Sequence, residues 1–257
     1  MNKTPTPPTA GLLLLVVSLA VATLGLMADA RAAELVVPEQ TITVVTPAQQ
    51  RPTADELSKL GDLNPWVQEQ LATFGRVDWP QGAIRYHVPI KLRWQMGGDW
   101  RGTGMAIHNY NSPDAKYARS KGTDHATRLL FEGPEDQPAV MIRASSGWTV
   151  ESLGIEHVND GVCVEVASDK GRASSHHAFN SVQFTGRVGT RCGKVGDPTN
   201  ASDITFVGCR FSGPEGEIGD SVGLQTWQHQ NVNYFLFGCE FEHIYDGVHC
   251  VQGGGVT

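Results

Sequence analysis

The chain has 257 residues, with 20 Lys and Arg against 27 Asp and Glu, for a formal net charge of −7. That balance, with no cluster of basic residues along the chain, argues against nucleic acid as a partner. The length without its apolar N-terminal end suits one domain with a core of its own.

Taken in order, the chain begins with Lys3, then an apolar run from Gly11 to Met27, then the small-residue steps Ala28-Asp-Ala30 and Ala30-Arg-Ala32. This is the pattern of a secretory signal peptide over residues 1–33, and it implies a secreted, periplasmic or cell-surface protein. The apolar run is long for a cleaved signal, so retention as a membrane anchor is the alternative and the one route to a membrane. Residues 34–52, rich in Pro, Thr and Gln, read as a linker. Thr53-Ala-Asp-Glu56 is a capping box, followed by Leu57 and Leu60. Asn64-Pro65 sets Asn64 as an N-cap before a Pro at the first helical position. Val67, Leu71 and Phe74 recur at helical spacing and Gly75 ends the run. Residues 53–75 are therefore expected to form two short helices, and residues 76–257 a strand-rich domain that ends at Gly253-Gly-Gly-Val-Thr257 without a visible C-terminal cap, and so reads as incomplete.

From Gly75 to Trp94 short apolar stretches alternate with turn residues, including Pro80-Gln-Gly82. Gly97-Gly-Asp-Trp-Arg-Gly-Thr-Gly104 is a Gly-rich turn. It lacks the Gly-Lys-Ser/Thr ending and the following apolar helix of a phosphate-cradling loop. Residues 109–127 are polar and aperiodic, as expected of a projecting loop. Strands resume at Arg128-Leu-Leu-Phe131 and Ala139-Val-Met-Ile142.

Beyond Trp148 the chain repeats itself. The segments starting at Val150, Phe179, Phe206 and Leu236 superimpose, with Leu153, Val182, Cys209 and Cys239 in a second apolar column and Ile155, Phe184, Phe211 and Phe241 in a third. The last two columns lie two residues apart, which puts both on one face of a strand. Steps of roughly 27 to 30 residues between copies describe stacked units. A second strand per unit opens Asp-small-Val at Asp160, Asp220 and Asp246, and Arg187-Val-Gly-Thr-Arg-Cys192 fits between the first two. Of the five cysteines, Cys209 and Cys239 fall in one column on neighbouring units. Strands about 4.8 Å apart allow either a stack of buried thiols or a bridge. No CxxC or His/Cys spacing suggests zinc.

From about Arg76 onward this pattern resembles the pectate-lyase-like superfamily of right-handed parallel β-helices. The stretch Gly75–Trp94 and the Gly-rich turn after it are similar to the first turn of many of its members. The resemblance implies an all-β fold, a right-handed parallel β-helix (solenoid) with a short N-terminal α-helical cap. It is weak for activity, because that superfamily hosts many chemistries.

Alternation places Arg143, Glu165, Arg191, Gln225 and Val251 in one outward column if Val140, Val162, Val188, Val222 and Val248 point inward. Met141, Cys163, Gly189, Gly223 and His249 form the column after each valine. Arg143, Glu165 and Arg191 are then either a surface ion-pair ladder or part of a groove in which arginines grip sugar carboxylates and Glu165 or Arg191 moves a proton. Gln225, Trp227 and His249 flank that groove as substrate-binding candidates, Trp227 by stacking on a sugar ring. Asp220 and Asp246 are expected at equivalent positions of adjacent units, where two carboxyls could serve a glycosidase; as Asp in a turn, each also has a purely local role. The further Asp, His and Arg-x-Lys elements that the resemblance implies for hydrolases are missing. The clustered aspartates it implies for calcium-dependent lyases are replaced by Glu165, Arg191 and Gln225, so no calcium ligand cluster, and no other cofactor, is evident. Two functions follow: a lyase or hydrolase acting on an extracellular acidic polysaccharide, or a non-catalytic β-helix for binding or adhesion, a truncated, inactive fragment included.

Overall fold

A computed structural model describes residues 51–105, 126–193, 201–213, 219–227 and 233–252. The chain divides into Met1–Gln49 and Gln50–Thr257. The signal segment and nearly all of the linker expected from sequence lie outside the described residues, as do residues 109–125 of the expected loop. Among the described residues no helix is long and apolar enough to cross a membrane.

Among the described residues two helices precede the strands, α1 (Ala54–Ser58) and α2 (Asn64–Phe74). Thr53 caps α1 reciprocally with Glu56: the Glu56 N–H donates to Thr53 Oγ1 at 3.3 Å and the Thr53 N–H to Glu56 Oε2 at 2.8 Å. Gly75 closes α2 in the left-handed conformation, its N–H donating to Leu71 O at 2.9 Å. The N-cap differs from expectation. Leu63 occupies it and Asn64 is already helical. Asn64 instead serves the neighbouring strand: its Oδ1 accepts from Lys91 N at 2.7 Å and its Nδ2 donates to Pro89 O at 2.9 Å. Ser58 Oγ and Gly61 O likewise accept from the backbone N–H groups of Arg85 and His87. The helical segment thus satisfies backbone groups that an edge strand would leave open.

The strands of the described residues pair almost wholly in parallel, in two sheets. The larger contains β1 (Arg76–Asp78), β4 (Met96–Arg101), β7 (Ser146–His157), β9 (Ser174–Thr185), β11 (Ala201–Val207) and β14 (Tyr234–Phe237) in that order. It also holds β2 (Gly82–Tyr86), β5 (Thr127–Phe131), β12 (Arg210–Ser212) and β15 (Glu240–Glu242) off that path. The smaller runs β16 (Asp246–Gln252), β13 (Val222–Trp227), β10 (Val188–Cys192), β8 (Val162–Ala167), β6 (Val140–Arg143), β3 (Ile90–Arg93).

The repeat columns are the strand register. Val150 pairs with Phe179, Phe179 with Phe206 and Phe206 with Leu236. Ile155 pairs with Phe184, Phe184 with Phe211 and Phe211 with Phe241. Rings in these columns stack: Phe179 on Phe206 at 5.1 Å, Phe184 on Phe211 at 4.9 Å and Phe211 on Phe241 at 5.0 Å between centroids. At the other end Trp66, Trp79, Trp100 and Trp148 follow one another at 5.0, 5.3 and 6.4 Å. All five cysteines are free thiols. Cys163, Cys192 and Cys209 are buried, and burial pushes the Cys163 thiol up to about 12, so these behave as small apolar core groups.

In the smaller sheet the register departs from expectation at both ends. Val162, Val188 and Val222 are level. Val140, however, pairs with Val164, and Val248 with Leu224, each two residues out. A slip of two keeps every side chain on its original face, so alternation cannot detect it. At β16 the slip keeps a glycine, rather than His249, in the column of Gly189 and Gly223. Gly189, Gly223 and Gly247 occupy one column, facing the stacked phenylalanines of the other sheet. A Cβ on Gly189 would stand 2.6 Å from Phe211 Cδ1, and one on Gly223 2.5 Å from Phe241 Cε1. Drawing Asp246 level with Val222 puts Gly247 in that column. Gly189→Ala should therefore cost about 1–3 kcal/mol by overpacking, read as a lower urea midpoint with unchanged far-UV circular dichroism; an unchanged midpoint would show that the stack yields freely.

Candidate functional site

The outward column of the smaller sheet reads, by register, Lys91, Met141, Glu165, Arg191, Gln225, His249. Two members of the expected column are corrected. Val251 gives way to His249, and Arg143 sits two residues further on, level with Ala167. Arg143 still reaches Glu165 because its long side chain leans back along the sheet. Its Nε donates to Glu165 Oε1 at 3.1 Å and its Nη2 donates to the same oxygen, while Arg191 Nη2 donates to Oε2 at 2.6 Å. The Glu165 side chain is 3 % exposed. This is a buried carboxylate between two half-buried guanidiniums, not the solvated surface ladder that was one of the two expectations. Burial pushes the Glu165 carboxyl up, but the Arg143 hydrogen bonds and the charges of Arg191 and Arg143 outweigh it and hold the group below the usual carboxylate range. An ionised carboxylate with both oxygens engaged is a poor proton acceptor and no proton donor at neutral pH.

The sequence columns missed the neighbours that extend this cluster. Arg93 pairs with Arg143 across β3 and β6. Arg93 and the Trp94 indole Nε1 both bond Asp169 Oδ2, the latter at 3.0 Å, and the Arg172 guanidinium lies 5.0 Å from the Trp94 ring centre. Trp94 itself is exposed. Arg93, Arg143, Arg172 and Arg191 thus face two acids, Glu165 and Asp169, on a chain whose net charge is −7. Alternation on β3 shows Arg93 as outward, but nothing in the pattern places the Asp169–Arg172 turn beside it. That proximity is set by the bridge Asp169↔Arg172 and by strand order.

At the other end of the column His249 Nδ1 is 2.7 Å from Asp246 Oδ2, with both side chains exposed. Gln225 lies between Arg191 and His249. Trp227 ends β13 and is partly buried, although its Nε1 is buried and unpartnered. The expected equivalence of Asp220 and Asp246 fails. Asp246 pairs with Val222, and Asp220, exposed in a turn, lies 3.6 Å from Arg187. The two-residue shift of β16 is what separates the two aspartates from a common level. Among the described residues no group of three or more His, Cys, Asp and Glu could hold a metal ion.

A separate buried group carries a pH signature. His177 Nε2 is 3.1 Å from Ser174 Oγ, and the Trp148 N–H donates to His177 Nδ1 at 3.4 Å. Nδ1 is therefore an acceptor and the ring neutral. Burial lowers its pKa to about 4. Unfolded, the imidazole takes a proton near 6.5. The contribution is complete above that value and is lost as pH falls from about 6.5 to about 4, for a loss on the order of 3 kcal/mol. Urea titrations at pH 7 and pH 4.5 should show this fall, and His177→Gln should flatten it; equal slopes in both proteins would exclude His177 as the cause. Removing Glu165 should act differently. Glu165→Ala leaves Arg143 and Arg191 facing each other and should cost about 3 kcal/mol, measured as a reduced urea midpoint at pH 7; an unchanged midpoint would mean that solvent screens the pair.

Comparison with protein-family models, with curated proteins and with solved structures finds no match.

Proposed function

We propose that the two parallel sheets are faces of a right-handed parallel β-helix, exported by its N-terminal signal, that binds an acidic polysaccharide along the outer face of the smaller sheet. One observation carries this reading: four arginines, Arg93, Arg143, Arg172 and Arg191, gather around Glu165 and Asp169 beside the exposed Trp94, an excess of positive charge on an acidic chain. Guanidiniums match sugar carboxylates in bidentate fashion, and an exposed indole stacks on a sugar ring. Glu165 holds Arg143 and Arg191 in place and leaves their remaining N–H groups to a ligand. Gln225 and His249 extend the strip, and Trp227 stands at its end.

Catalysis at the same face is the second reading, and the His249–Asp246 contact favours it. A carboxylate that orients an imidazole is the usual way to prepare a general base. The ionised, doubly bonded Glu165 and the separation in register of Asp220 from Asp246 count against a carboxylate-pair hydrolase.

Isothermal titration with polygalacturonate, alginate and a neutral glucan, with absorbance near 235 nm and reducing ends followed in parallel, distinguishes these readings. The binding reading expects an acidic polymer to bind, weaker binding at 0.5 M NaCl, and a loss of at least about tenfold in Arg143→Ala or Arg191→Ala. Binding of no acidic polymer would sink it. Product formation abolished by His249→Ala would replace it with the catalytic reading.

A further inference from the structure

Two thiols stand apart from the arginine strip, where the chain turns from β11 into β12 and, one level on, from β14 into β15. Cys209 and Cys239 each stand just before the second strand, and each follows a glycine in the left-handed conformation, Gly208 at φ 57° and Gly238 at φ 59°. The two turns therefore share one backbone shape. Register sets them one above the other: Val207 pairs with Phe237 and Arg210 with Glu240, and the Glu240 N–H donates to Cys209 O at 2.9 Å. Neighbouring strands lie about 4.8 Å apart, inside the Cα separation of about 4.4–6.8 Å that a disulfide accepts.

The side chains are aligned as well. Cys209 Sγ lies 3.2 Å from Phe179 O and Cys239 Sγ lies 3.5 Å from Phe206 O, equivalent carbonyls of two paired residues. Exposure separates the two. Cys209 is 1 % exposed, whereas Cys239 is half-buried and packs against the core that holds Cys209. Cys239 is thus the thiol that a reagent meets, with Cys209 behind it. The hydrogen bond between the two thiols raises the Cys209 pKa and lowers that of Cys239, and the thiolate is the form that attacks.

We propose that Cys239 and Cys209 form a thiol–disulfide exchange site for small disulfides, with Cys239 as the attacking thiol and Cys209 as the resolving one. The Cys239 thiolate attacks one sulfur of a disulfide such as oxidised glutathione, breaks its S–S bond and expels one glutathione thiolate. The other glutathione stays joined to Cys239. Cys209 then gives up its proton, attacks the Cys239 sulfur and expels the second glutathione. Two protein thiols are oxidised to one bridge, and one disulfide is reduced to two thiols. The bridge ties residues 30 apart in sequence (239−209) and fastens one level of the larger sheet to the next, which stabilises the oxidised chain. In an oxidising compartment, which the N-terminal signal implies, the bridged form is the one expected. The exchange chemistry does not depend on the polysaccharide reading.

Peptide mapping tests the proposal. The full chain with Cys250→Ser, which removes the exposed thiol, is reduced, freed of reductant, incubated with oxidised glutathione near neutral pH, quenched by alkylation and mapped without reduction. Cys209 and Cys239 should be recovered joined. The melting temperature should rise by about 5–10 °C over the reduced chain and return on treatment with dithiothreitol. Cys209→Ala should instead accumulate glutathione on Cys239, and its alkylation at Cys239 should shift to higher pH, because the hydrogen bond that favours the thiolate is gone. Cys239→Ala should leave Cys209 unmodified. The proposal is overturned if both thiols are recovered alkylated after oxidation, or if Cys209→Ala leaves the pH profile of Cys239 in place. Should a variant fail to fold, the mapping of the Cys250→Ser chain decides.

Discussion

The structure depends on one steric fit, the stacked phenylalanines against a column of glycines. Phe184, Phe211 and Phe241 sit ring over ring on one sheet, and Gly189, Gly223 and Gly247 leave room for them on the other. Stacked aromatics at about 5 Å match the spacing of parallel strands, so the same geometry that makes the backbone hydrogen bonds also makes the ring contacts. The glycines lose a favourable side chain in a strand. That loss is offset at Gly189 and Gly223, where a Cβ would stand 2.6 and 2.5 Å from a phenylalanine ring carbon. β16 continues the glycine column by pairing two residues along, which brings His249, rather than Val251, level with Gln225.

This fit explains what could be read from the sequence and what could not. The Val150, Phe179, Phe206, Leu236 column and the Ile155, Phe184, Phe211, Phe241 column were legible because each side chain touches its counterpart in the next copy. Like must therefore follow like. Parallel pairing in two sheets follows from that repeat. Val140 and Val248 were misplaced because a shift of two preserves inside and outside, and valine suits either level. Asn64 was misassigned for a related reason. Asn before Pro is a good cap on local grounds, but its side chain is claimed by Lys91 and Pro89, more than 20 residues away in sequence.

The candidate site was legible only in part. Glu165 and Arg191 pair as the columns require, and Arg143 joins them through the reach of its side chain rather than through its level. Burial of Glu165, and hence its fixed charge, depends on how the two arginines fold over it, which alternation does not encode. Arg93, Trp94, Asp169 and Arg172 come together through a turn whose sequence has no period.

The register also bears on how the chain folds. Val162 pairs with Val188, Phe179 with Phe206 and Ile204 with Tyr234, separations of 26, 27 and 30 residues (188−162, 206−179, 234−204). Beyond β7 each strand meets its partner across a gap of similar length, whereas Met96–Ser146 and Ile90–Val140 each span 50 residues (146−96, 140−90). The loop-closure entropy of adding a strand does not grow along the chain. Pairing confined to neighbours in sheet order is the arrangement in which folding can nucleate at one paired level and propagate to the next. The helical segment, which already supplies hydrogen-bond partners to β2 and β3, marks one end at which such a level can form without waiting for a preceding strand.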